Sequence, residues 1–148
     1  MLRSWPFVIL SNPIIASILN IGGLWILYTT GLYGLMQQNI LLHALVHVHV
    51  FIAGYLFTAS MIYMDPTSHQ FSFMFRAIVF AISLAGHDIL SKYIYAHPPS
   101  GVIKAQAENG GMLMYYAGDA IDLLLICILC HQWFRATRPR ESLVQLQE

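Results

Sequence analysis

The chain has 148 residues, of which 57% are hydrophobic and only 9% are charged, whereas soluble domains carry about 25% charged residues. A soluble protein of this length could not bury so much apolar surface, so the composition predicts an integral membrane protein. Seven basic and seven acidic residues give a net charge of zero, which argues against a broad basic surface for nucleic acid.

Four apolar segments are each long enough to cross the hydrocarbon core, which needs about 20 residues. They cover residues 13–36, 40–64, 73–95 and 110–134. The alternating strands of about ten residues that build membrane β-barrels are not seen, so helices are the remaining spanning structure. We therefore predict an all-α membrane protein with a bundle of about four transmembrane helices. A single membrane domain would cover residues 1–138, and 139–148 would form a polar tail.

The basic residues predict the orientation of this bundle. Five of them fall on the side that carries both termini, and two fall on the opposite side. Cytoplasmic segments carry the excess of Lys and Arg, so both termini and the tail are predicted to be cytoplasmic. The residues on the terminal side are Arg3, Arg76, Arg135, Arg138 and Arg140, and those opposite are Lys92 and Lys104.

Ionisable side chains inside the apolar segments gather at one predicted depth. At about 1.5 Å per residue, His47 and His49 lie roughly 10–14 Å below the outer surface, with His43 above them. In the next two helices, His87 with Asp88 and Asp119 with Asp122 reach about the same layer. Ionisable groups in a membrane are costly and are by default functional. His43 and His47 are four apart and share a helix face, whereas His49 points toward another helix.

Imidazoles combined with a carboxylate are suitable ligands for copper, zinc or iron. The thioethers of Met112 and Met114 would suit Cu(I), although methionine in membrane helices is more often a packing residue. Interhelical hydrogen bonding is the plainer explanation for a lone membrane histidine. No nucleophile with an adjacent base and no glycine-rich phosphate loop is visible. Binding or transferring a metal ion is therefore favoured over catalysis.

The same residues resemble a known family. Residues 42–57, followed by Asp65-Pro66, resemble the signature of the CtaG family, whose members are linked to assembly of caa-type cytochrome c oxidase. Family members usually have further helices, and this chain resembles the C-terminal four-helix part. The other matching residues, in chain order, are Asn12-Pro13, Leu27-Tyr28-Thr29-Thr30, Arg76, His87, Gly110-Gly111, Gly118-Asp119 and Gln132-Trp133.

The resemblance implies a non-enzymatic, multi-pass protein of the bacterial plasma membrane that helps to insert copper into the oxidase. His47, His49 and His87 are then the main copper ligands, with His43 receiving the ion first and Asp119 as a ligand or as a group that orients one. The role of His49 rests on the resemblance rather than on helix geometry. Implied partners are oxidase subunits, the lipid bilayer, and either a second copy or a protein that supplies further helices.

Two alternatives stay open at this point. Histidines from the second and third helices could be axial ligands of haem in a membrane electron carrier. The chain could also be a structural or interaction subunit of the membrane without a metal site. An absorption spectrum distinguishes haem binding from copper binding. Copper stoichiometry after replacement of histidines distinguishes a structural subunit from a copper-binding protein.

Overall fold

The computed structural model describes residues 12–62 and 71–138, and every regular element in these two ranges is helical. The prediction of an all-α membrane protein is confirmed. Three helices are long and apolar enough to cross a membrane, and a bent pair of shorter helices makes a fourth crossing if it forms one span. The predicted helix end at residue 64, the tail at 139–148, Arg3 and Asp65-Pro66 lie outside the described residues.

The first predicted helix, 13–36, is broken in the structure. Helix α1 covers Pro13–Thr29, helix α2 covers Leu32–Gln38, and the two are bent by 79°. The break follows from Thr30, which has an extended backbone and accepts a hydrogen bond from the Leu32 backbone nitrogen at 3.3 Å. A threonine hydroxyl offers the backbone an alternative to the helical bond. Because the segment is predominantly apolar, its composition predicts one continuous helix and gives no indication of this turn.

The other three helices are long. Helix α3 covers Ile40–Met61, helix α4 covers Phe73–Ala96 and helix α5 covers Lys104–Thr137. Side chains of Asn39 and Ser72 cap the first turns of α3 and α4 by accepting backbone hydrogen bonds, as Asn and Ser commonly do. The chain between Ala96 and Lys104 lies at the same end of the bundle as Gln38, and this end is called the outer end, after the predicted topology.

Helix α5 begins six residues before the predicted start at residue 110. Its first turn is polar, with Lys104 and Glu108 paired across one turn at 3.8 Å. Such i,i+4 pairs support a helix without being apolar, so the helix extends beyond the apolar residues from which its start was predicted. At 1.5 Å per residue α5 is about 51 Å long, which exceeds the hydrocarbon thickness of about 30 Å.

Helices α4 and α5 are antiparallel and pack along their length. Near the outer end the Gly111 backbone lies against Ser91 and Tyr95, and at the other end the rings of Phe73 and Trp133 stack at 5.1 Å. Small residues allow this close approach between membrane helices. Helix α1 joins them through Trp25, whose indole Nε1 donates to the backbone oxygen of Gly86 at 3.1 Å.

Two apolar clusters lie above and below the middle of the bundle. The outer cluster joins α1, α2 and α3 through Leu27, Met36 and Val46. The inner cluster joins α1, α3, α4 and α5, and Arg76 beside it donates from Nη1 to the Met61 carbonyl at 2.7 Å. His87 lies between the levels of these clusters, whereas His43 and His47 flank Val46 of the outer cluster along α3. The inner cluster consists of Ala16, Phe57, Met61, Val79, Phe80 and Leu125.

Candidate functional site

The first two histidines of α3 form a stacked pair. The ring centroids of His43 and His47 are 4.3 Å apart with planes at 21°, as their four-residue spacing predicts. His47 Nδ1 donates to the His43 backbone oxygen at 2.9 Å. Because a carbonyl only accepts, Nδ1 carries the proton and the lone pair of His47 lies on Nε2. Both residues are exposed on the bundle surface, so Nε2 is accessible from outside.

The third histidine of α3 faces helix α1, which confirms that it is directed to another helix. His49 Nε2 donates to the Leu19 backbone oxygen at 3.2 Å and lies against Gly23. Leu19 belongs to a π-helical turn, Ile18–Gly22, in which backbone hydrogen bonds are shifted by one residue and a carbonyl can become available to a side chain. His49 therefore holds α1 and α3 together and retains only Nδ1 for any ligand.

His87 lies in the interface between α4 and α5. Its ring occupies the space that a side chain at Gly118 would fill, with Cε1 and Nδ1 nearest. His87 Nδ1 is 4.0 Å from Asp88 Oδ1, and neither atom has a hydrogen-bond partner within the described ranges 12–62 and 71–138. The i,i+4 spacing predicts that Lys92 pairs with Asp88, but its Nζ lies over the Tyr115 ring, 5.1 Å from the centroid.

Below His87 a cavity of about 520 Å³ opens in the middle of the bundle. His87 and Asp122 both line it. Asp119, the predicted carboxylate, is at the level of His87 but is not among the lining residues. Gly118 and Asp122 are four apart and share one face of α5, whereas Asp119 is rotated by about 100° from Gly118. The polar lining is completed by Asn20, Tyr55, Thr58 and Ser83.

The five predicted ligands lie in three places rather than one. His43 and His47 form the exposed pair, His49 is bonded to α1, and His87 and Asp119 belong to the α4–α5 side. Across the part of the chain that the structure describes, no three His, Cys, Asp or Glu side chains converge well enough to hold a metal ion. Asp122 and Gly118 are the important residues that the ligand prediction left out. The four-residue spacing between them was the available signal.

Comparison with known proteins gives the family. No curated protein and no solved structure matches the chain. A family model described as cytochrome c oxidase caa3 assembly factor (Caa3_CtaG) matches residues 1–136, which is nearly the whole chain and includes all the helices described above except the last residue of α5. The stacked histidines, His49 and the His87–Gly118 contact all lie within the matched residues. The chain therefore belongs to the Caa3_CtaG family of cytochrome c oxidase caa3 assembly factors.

Proposed function

We propose that this protein supports maturation of a caa3-type cytochrome c oxidase by holding a copper ion on His43 and His47 and passing it to an oxidase subunit. The observation that carries this proposal is the stacked pair with its internal hydrogen bond. The protein acts as a binding and transfer factor rather than as an enzyme. Its place is the bacterial plasma membrane, where it spans the bilayer several times.

The chemistry of the pair suits copper. Imidazole is a ligand for copper as well as for zinc and iron, and a ligating histidine usually donates its other ring N–H to a carbonyl or carboxylate. The His47 Nδ1 bond to the His43 carbonyl, at 2.9 Å, is an interaction of this kind. It fixes the tautomer and the ring orientation, so that Nε2 is presented before any ion binds.

Exposure of the pair suits transfer. Two imidazoles leave coordination positions of the ion open, and both residues are exposed at the bundle surface near the start of α3. An ion held there is accessible to ligands of a second protein, as delivery requires. Intramembrane histidines normally face a protein neighbour. That neighbour is an oxidase subunit, a second copy of the chain, or a protein that supplies further helices.

Copper analysis of the purified full chain tests this proposal. The protein is loaded with copper under reducing conditions, and metal content is compared with that of the double variant H43A/H47A. His97, an exposed histidine stacked on Tyr93 at the outer end, provides the control variant H97A. We expect the double variant to bind less copper than the H97A control. Unchanged copper in the double variant would overturn the proposal and favour a structural role.

The absorption spectrum of the same sample tests the haem hypothesis. His49 Nε2 is engaged by the Leu19 carbonyl and His87 lies against Gly118 of α5, so no contact in the described residues favours a pair of axial ligands from α3 and α4. We expect no Soret band. A Soret band that is present in the native chain and absent in H87A would show haem binding through His87. The hypothesis of a membrane electron carrier would then take the place of the copper proposal.

A further inference from the structure

Two cavities of the bundle meet at His87. The inner cavity, of about 520 Å³, lies between α1, α3, α4 and α5. A second cavity of about 470 Å³ extends from His87 toward the outer end, where Tyr33, Pro99 and Gln106 line it. Four residues line both cavities and form the neck between them. These residues are Leu24, His87, Gly118 and Ile121.

Helix α5 places donor groups on both sides of this neck. Met114, Gly118 and Asp122 are each four residues apart, so they form a row on one helix face with steps of about 6 Å. Met114 lines the outer cavity and Asp122 lines the inner one. The His87 imidazole fills the space beside Gly118 in the middle of the row. A thioether, an imidazole and a carboxylate therefore follow one another from the outer cavity through the neck to the inner cavity. These three side chains, of Met114, His87 and Asp122, are called the donor row.

The linings of both cavities favour a cation. Among the described residues that line either cavity there is no Lys or Arg, and the one carboxylate is that of Asp122. Thioether sulfur selects soft cations such as Cu(I), and imidazole also binds copper. His87 Nδ1 has no hydrogen-bond partner within residues 12–62 and 71–138. Phe57 and Leu125 of the inner cluster are among the apolar residues that line the inner cavity.

We propose that the donor row is a second, internal site for a soft monovalent metal cation, reached from the outer end through the cavity lined by Met114. His87 receives the ion at the neck, and Asp122 compensates its charge below. The identity of the cation rests on the copper function proposed above, whereas the site itself rests on the cavities. Transfer along the row is ligand exchange, so it involves no covalent or redox step.

Binding of Ag(I), a redox-inert soft cation, tests the internal site. The purified full chain carries H43A/H47A, so that the surface pair contributes nothing, and its affinity is measured by competition with a chelator. Two matched pairs of variants lie on α5. Met114→Leu is compared with Met112→Leu, whose residue is exposed and outside both linings, and Asp122→Asn is compared with Asp119→Asn.

We expect M114L and D122N to weaken Ag(I) binding by about tenfold or more, as loss of a group around a metal typically does. M112L and D119N change it by less than about twofold, and His87→Gln abolishes it. Equal effects within each matched pair would overturn the site, as would no retained Ag(I) in the H43A/H47A background. If H43A/H47A leaves the copper content unchanged while the donor-row variants lower it, the proposal that His43 and His47 bind copper is rejected. The proposal of the internal site is then retained.

Discussion

Replacing Gly118 by alanine perturbs the closest contact of the site. The added methyl carbon would lie 2.9 Å from His87 Nδ1 and closer still to Cε1, inside the contact distance of about 3.5–4.0 Å. The imidazole or the α4–α5 spacing must therefore shift. Overpacking of this kind costs about 1–3 kcal/mol. Alanine also gains about 1 kcal/mol of helix propensity over glycine, which offsets part of that cost.

Gly110 provides the matched control, because it lies on the same helix and a Cβ there has nothing within 4 Å. G110A gains the propensity term without the clash, so we expect G118A to be less stable than G110A by about 1–3 kcal/mol. Reversible denaturant unfolding of the purified chain in micelles measures the difference. In an H87A background the cost of G118A should disappear, since the clashing ring is gone. Equal stability of G118A and G110A in the native background would refute the packing of His87 against α5.

Three further changes test separate contacts. Trp25→Phe removes the bond to the Gly86 carbonyl and should lower stability by about 0.5–1.5 kcal/mol in the same unfolding assay; no change would mean that α1 does not depend on this bond. His49→Leu leaves the Leu19 carbonyl without its donor, so we expect the free energy of unfolding to fall by about 1–3 kcal/mol while the copper content stays unchanged. Loss of copper with no loss of stability would instead identify His49 as a ligand. Glu108→Gln breaks an exposed ion pair and should change stability by less than about 1 kcal/mol; a larger loss would show that the first turn of α5 supports the bundle.

Much of the fold follows from hydropathy alone. The long apolar segments predict the helices because the bilayer requires every backbone group to be bonded within the span. For α4, predicted at 73–95 and found at Phe73–Ala96, the polar residues at both ends gave the limits well. Hydropathy does not predict the break at Thr30, where a side-chain hydroxyl replaces a backbone hydrogen bond. It also does not predict the polar first turn of α5. Both depend on local polar interactions, a side-chain hydrogen bond and an ion pair, rather than on transfer to lipid.

The site was predictable in part. Helical periodicity gives the stacking of His43 on His47 and the direction of His49 toward another helix. Depth estimates bring His87 to the level of Gly118-Asp119, yet they do not say which carboxylate shares its cavity. That choice depends on rotation of α5 about its axis, which packing of Gly118 against His87 determines. The π turn that accepts His49 has no clear signal in the sequence pattern, because its residues, apart from Asn20, are apolar or small like their neighbours.

Oxidase maturation in cells tests the central claim most directly. A strain lacking this protein is complemented with the native chain, with H43A/H47A or with the H97A control, and the copper content and activity of the caa3-type oxidase are measured at low and high external copper. We predict that H43A/H47A gives a copper-poor, inactive oxidase that excess copper partly restores, while H97A matches the native chain. Full oxidase copper and activity with H43A/H47A at low copper would contradict the account.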